Sequence, residues 1–157
     1  MAHNPRMAHV IADVDTKATP ERIIRALTDF SPRRFELWPN VDKNYYKVGT
    51  VGDTSADVTE GSPFLGGGVW ERAHYDWSTP GTVRIDVQES NAFKPGSFWL
   101  YTITPGKDGG AHVHMEFDRR PRNLKGYVVG TLLSLFGKKI FTKSLADTVK
   151  RVEDAKA

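Results

Sequence analysis

The sequence predicts an α+β fold: a seven-stranded, curved antiparallel sheet around one long C-terminal helix, with two short helices after the first strand. Three observations predict it. Strand patterns follow one another without intervening helices, so neighbouring strands pair antiparallel. Their separators carry turn chemistry, in Gly52-Asp53, Gly66-Gly67-Gly68, Pro80-Gly81, Pro95-Gly96 and Pro105 to Gly110. The last third then runs from a strand-turn-strand unit, Phe98 to Phe117, into one long helical pattern, Asn123 to Val152.

Residues 8–15 alternate, with Val10, Ala12 and Val14 on one face, and read as the first strand. Thr19 and Pro20 make an N-cap and first-turn pair for a short helix carrying Ile23, Ile24 and Leu27. Ser31-Pro32 opens a second short helix to about Leu37, which Trp38-Pro39-Asn40 ends. Strands are expected at 44–51, 55–60, 69–77, 82–90, 97–104 and 111–118. The long helix contains Gly126, Gly130 and Gly137, each costing about 1 kcal/mol relative to alanine. They imply a kink or a close approach to the sheet, with a kink near Gly137 preferred because the apolar stripe continues beyond it.

Length and composition bound the class. The 157 residues suit one domain, expected over 8–155, with residues 1–7 a disordered N-terminus. Hydrophobic residues at 39% and charged residues at 26% are ordinary for a globular chain, and no apolar run reaches the roughly 20 residues of a membrane span. Met1 to Arg6 has no apolar signal core, and the absence of cysteine excludes disulfides and thiolate chemistry. Both fit a cytoplasmic protein with no integral membrane association. The net charge is +3, with clusters at Arg119, Arg120, Arg122 and Lys125 and at Lys138, Lys139 and Lys143. These read as a solvated helix face, and without interleaved aromatics no nucleic-acid partner is expected.

The element order resembles the START-like helix-grip superfamily (SRPBCC-type proteins), which includes polyketide cyclases/dehydrases and lipid-transport proteins. The stretch FWLYTITPGKDGGAHVHMEF is similar to that family's last hairpin, and GGVWERAHYDW followed by STPG to its middle strand and turn. The resemblance covers Ala8 to about Val152 and implies a hydrophobic cavity under the long helix. It brings no universal catalytic motif and no cofactor.

Strand alternation picks the side chains expected to line a ligand site. In the last strand these are Val113, Met115 and Phe117; in its hairpin partner Trp99, Tyr101 and Ile103. The strand before offers Val83, Ile85 and Val87, and residues 69–77 offer Val69 and Tyr75. The helix is expected to add Val128, Leu132, Leu135 and Phe136. Glu71 shares the more apolar face of its strand with Val69 and Ala73, and desolvation there suits a carboxylate to acid-base work such as enolisation. A one-residue change of register would instead turn Trp70, Arg72 and His74 inward. His112, His114 and Glu116, with His74, have strand spacing for a metal but fall on the outer face, so no metal site is expected. Leu65 to Val69 enters a strand rather than a helix, which makes its glycines a loop and not a phosphate cradle.

Three functions compete. The first is binding or transport of a hydrophobic small molecule, such as a lipid, polyketide or isoprenoid. The second is a polyketide cyclase or dehydratase that uses Glu71, Arg72, Tyr75 or Tyr101. The third is a stress-response or interaction module.

Overall fold

The computed structural model describes residues 8–63 and 67–155. The N-terminal segment expected to be disordered, and Gly66 of the glycine turn, lie outside them. The order is β1 (Ala8–Thr16), α1 (Pro20–Leu27), α2 (Arg34–Leu37), β2 (Lys47–Val51), β3 (Ser55–Ser62), β4 (Val69–Asp76), β5 (Thr82–Ser90), β6 (Phe98–Pro105), β7 (Ala111–Arg119) and α3 (Leu124–Asp154). The seven strands form one sheet in the order β1-β7-β6-β5-β4-β3-β2, antiparallel throughout. The expected α+β architecture is therefore present, and β1 forms one edge of the open sheet by pairing with the last strand.

Local chemistry sets the boundaries. The Thr19 hydroxyl accepts from Arg22 N at 3.3 Å and starts α1, with Pro20 in the first turn. Asn123 does the same for α3, accepting from Gly126 N at 3.0 Å. Two elements are shorter than expected. The Ser31 to Arg33 segment is a turn that leads into α2, and β2 begins at Lys47 because Asp42 folds the chain before it. The Asp42 carboxylate accepts from Asn44 N at 2.9 Å and its carbonyl from Tyr45 N at 3.1 Å.

The expected kink in α3 is absent: the helical backbone runs unbroken from Leu124 to Asp154. Its glycines serve close approach instead. A Cβ on Gly126 would fall 2.0 Å from the Ala92 carbonyl oxygen, and one on Gly137 would fall 3.0 Å from Val10 Cγ2. Their cost in helix propensity is accepted because a larger residue would push α3 off the β5–β6 connection at Gly126 and off β1 at Gly137.

The C-terminal half of α3 seals one end of the curved sheet. Leu145, Val149 and Val152 pack with Ile23, Ala26 and Leu27 of α1 and with Trp38, Tyr101 and Val113, leaving a gap of only about 10 Å³. Polar latches finish this end. Thr148 Oγ1 donates to Leu37 O at 3.1 Å, and Glu153 accepts from Thr16 Oγ1 and Lys17 N, each at 2.8 Å. Arg22 reaches the C-terminal carbonyls of the helix, donating to Ala155 O at 2.9 Å and also to Val152 O.

Candidate functional site

Beyond that plug the sheet and helix separate and enclose a cavity of about 580 Å³. This volume lies within the roughly 300–1,000 Å³ of small-molecule sites. The concave face of the sheet supplies one wall, with Val69, Ala73, Tyr75, Ile85, Trp99, Tyr101, Met115 and Phe117. Val129, Leu133, Ile140 and Phe141 of α3 supply the other, and Pro39 to Asp42 with Gly61 to Pro63 contribute a further stretch of polar and small residues. Ring packing stiffens the centre. Trp99 stands edge-on to Phe117 at 4.4 Å and to Phe141 at 5.3 Å, and stacks on Tyr101 at 6.3 Å.

The residues expected to line the site divide into three groups. Val69, Tyr75, Ile85, Trp99, Tyr101, Met115 and Phe117 are on the cavity wall. Val83, Val87, Ile103 and Val113 are fully buried but belong to solid core beside the cavity. The helix residues require correction: Val128, Leu135 and Phe136 are exposed, and Leu132 is half-buried away from the wall. The helix turns Val129 and Leu133 inward with Gly126, Gly130 and Gly137, because only that stripe is small enough for close contact with the sheet.

Two buried ion pairs interrupt the apolar wall. In the first, Arg34 Nη2 lies 2.8 Å from Glu60 Oε1 and donates to Tyr75 Oη at 2.8 Å, while Tyr75 donates in turn to Glu60. The other guanidinium arm reaches Leu27 O at 3.2 Å and Asp29 O at 3.3 Å, and the group lies 5.0 Å from the Phe30 ring centre. Burial opposes the Arg34 charge, yet Tyr75 and Glu60 outweigh it and hold the guanidinium above its ordinary range. Burial also lifts the Tyr75 and Tyr101 hydroxyls well above the usual tyrosine range, and raises Tyr46, which donates to Phe30 O, to about 12.

In the second pair, Arg119 Nη2 lies 2.9 Å from Glu71 Oε1, which also accepts from Trp99 Nε1 at 3.3 Å. Arg119 is sandwiched among rings, 4.1 Å from the centre of Phe117 and 5.1 Å from that of Trp99, and its other arm donates to Asp118 O at 3.1 Å. Burial lowers its pKa, against the opposing pull of Glu71 and Asp118. The two glutamates are direct cross-strand partners, Glu60 on β3 opposite Glu71 on β4. The cavity therefore holds two carboxylates side by side, each tied to its own guanidinium. Like charges so placed are tolerated in an apolar setting only when each is paired.

This geometry settles the register left open for β4. Glu71, Ala73 and Tyr75 face the cavity; Arg72 is exposed and bonds Gln88 at 2.7 Å, and His74 pairs with Asp57 at 2.9 Å. Arg34, Glu60 and Arg119 were missed from sequence. The signal for two of them was the same alternation, since Arg119 continues Val113, Met115 and Phe117, and Glu60 continues Ala56 and Val58. The histidines of β7 are on the convex face. His112 contacts Asp15 at 2.8 Å and Asp13 at 2.9 Å, His114 contacts Asp13 at 2.7 Å, and Glu116 contacts His9 at 3.1 Å. Among the described residues no group of three or more histidines and carboxylates is arranged to hold a metal, and no helix is long and apolar enough to cross a membrane.

Comparison with known proteins places this geometry. The chain superposes on the ZhuI aromatase/cyclase from a Streptomyces species, with a TM-score of 0.74 at 12% identity, over 95% of this chain and 96% of that one. A START superfamily protein from Mycobacterium smegmatis gives a TM-score of 0.73 at 12% identity, over 92% and 98%. A STAR-related lipid transfer protein from Xanthomonas axonopodis gives 0.67 at 14% identity, over 90% and 83%. These likenesses establish the helix-grip fold. No curated protein matches the sequence. The model of the family described as polyketide cyclase/dehydrase and lipid transport matches residues 7–153, and the chain belongs to that family.

Proposed function

We propose that the protein binds a hydrophobic small molecule that carries a few polar groups. The observation behind this reading is the 580 Å³ cavity, whose aromatic and aliphatic wall is broken by two paired Arg–Glu clusters. The apolar wall favours a lipid, polyketide or isoprenoid skeleton. The Glu60 and Glu71 carboxylates give such a ligand fixed acceptors for its hydroxyls.

Met115 supplies the test, since it is buried on the cavity wall. A Met115→Trp protein should stay folded, losing at most about 1–3 kcal/mol to overpacking, because the indole can grow into the cavity. It should lose binding of a hydrophobic fluorescent probe. Undiminished probe affinity in the folded variant would place the binding site elsewhere.

A second reading, a cyclase or dehydratase, is favoured by Glu71 beside Arg119. A carboxylate here takes a proton from a carbon between two carbonyls, and the electron pair left behind delocalises onto the carbonyl oxygen as an enolate. The neighbouring guanidinium stabilises that oxygen. In a catalyst, Glu71→Gln should abolish turnover of a poly-β-ketone substrate while probe affinity is kept. In a binding protein, the same change has no turnover to abolish; it lowers stability, by about 1–3 kcal/mol, because Arg119 loses its charged partner, and it weakens a ligand that hydrogen-bonds Glu71. Native mass spectrometry of the purified protein identifies the ligand that either reading requires.

A further inference from the structure

The N-terminal half of α3 is apolar on both faces, and the fold covers only one. Val129 and Leu133 look inward, whereas Leu124, Tyr127, Val128, Leu135, Phe136 and Ile140 are exposed, Leu124 to 80% and Leu135 to 69%. At 3.6 residues per turn Leu124, Val128 and Leu135 share one outer stripe, Tyr127 and Phe136 sit at its two margins, and Ile140 follows Phe136 at the edge nearest the cavity; the patch covers residues 124–140, about 25 Å at 1.5 Å per residue. A helix apolar all round belongs in a buried setting, and an exposed ridge of this kind marks a contact surface.

Charge identifies what covers it. From Arg119 to Ala146 the sequence holds seven Lys and Arg residues and no Asp or Glu. Exposed Lys138, Lys139 and Lys143 flank the stripe at the Ile140 end, Lys143 lying 3.4 Å from Asp147, and exposed Arg122 flanks it at the Leu124 end. A second copy packed on this face would set like charge against like in a drying interface, lysine cluster against lysine cluster in a parallel pair or against Arg122 in an antiparallel one, which is unfavourable. An anionic lipid surface accepts both features, the apolar ridge among acyl chains and the lysines among headgroups. Ile140 belongs at once to this ridge and to the cavity wall, so the docked face adjoins the ligand site.

We propose that α3 docks the protein peripherally on anionic membranes through Leu124, Tyr127, Val128, Leu135, Phe136 and the flanking lysines, with the cavity beside the bilayer surface. The inference goes beyond ligand binding and is tested apart from it, since probe fluorescence reports the cavity and flotation reports α3. The full chain should float with phosphatidylcholine vesicles containing phosphatidylglycerol, and less so as salt rises or without the anionic lipid. The double change Leu135→Asp with Phe136→Asp should weaken flotation by about tenfold or more, since it removes two inserted side chains. Lys138→Glu with Lys139→Glu should weaken it comparably. All four positions are solvent-facing and off the cavity wall, so both variants should fold and bind the fluorescent probe as the parent does. Absence of flotation on phosphatidylglycerol vesicles overturns the proposal, as does equal flotation of the Leu135→Asp/Phe136→Asp protein. A dimer in solution that the same double change disperses would assign the ridge to a second copy and overturn it equally.

Discussion

The two halves of α3 solve opposite problems with one continuous helix. The half around Leu145, Val149 and Val152 meets α1 and the start of β7 and leaves a gap of about 10 Å³. The half around Val129, Leu133 and Phe141 meets the same sheet across about 580 Å³. The first is held by packing and by the Arg22 and Glu153 latches. The second is held at its glycines and its first-turn cap, and the cavity beneath it is walled by rings and ion pairs. Stability and binding are thereby assigned to different stretches of one helix. A site must forgo some packing to receive a ligand, and here the cost falls where the other half of α3 already anchors the helix.

Paired truncations sharpen this contrast and carry the largest expected effect. Ile23 is buried in the packed end and has no cavity to open into. Ile23→Ala should cost about 2–4 kcal/mol in urea unfolding, through lost transfer energy and a new void. Leu133 already borders empty volume, so Leu133→Ala only enlarges it and should cost about half as much. Equal costs would mean that the two halves are equally packed in solution. A bound hydrophobic ligand should narrow the gap by stabilising the parent at Leu133 more than the variant.

The same division explains what was legible in the sequence. Where one face of an element is apolar and the other polar, the pattern gave the right answer: Val113, Met115 and Phe117 face in, and His112, His114 and Glu116 face out. In the open half of α3 both faces are apolar, so periodicity had two stripes to choose from. The one with larger side chains, Val128, Leu132, Leu135 and Phe136, is the outer one. Packing chose the stripe with glycines, because helix-to-sheet distance is limited by the smallest residues at the contact. The charged residues of the site were hidden for a different reason. Arg119 sits in a run with Arg120 and Arg122 that reads as solvated surface, although strand alternation carries it to the cavity face. Arg34 lies in a short helix where no periodicity exists, and only the fold brings it to Glu60. Pairing across 26 residues of sequence is a property of topology rather than of local pattern.

The smallest expected effect concerns the convex side of the packed end, where β1 and β7 are joined by His112, Asp13 and Asp15. Hydrogen bonds to Asp15 and Asp13 raise the His112 pKa above its ordinary value, with the charges of both carboxylates adding to them. Hydrogen bonding from His114 is the main cause that lowers Asp13, against a small cost of burial and with His112 assisting. A raised histidine stabilises the fold fully at pH below its unfolded value of 6.5, and the gain is lost as pH rises through the higher folded value. A depressed aspartate stabilises it above 3.8, and that gain is lost as pH falls through the lower folded value. The contribution therefore peaks in mildly acidic solution. His112→Gln should lower stability most near pH 5–6 and least above pH 8, by only a few tenths of a kcal/mol at most, because the ring is 40% exposed and solvent screens the pair. Added salt should shrink the difference further. Probe binding should be unchanged at every pH, since His112 faces away from the cavity; a matching pH dependence of probe affinity would show that the convex face and the site are coupled through β7.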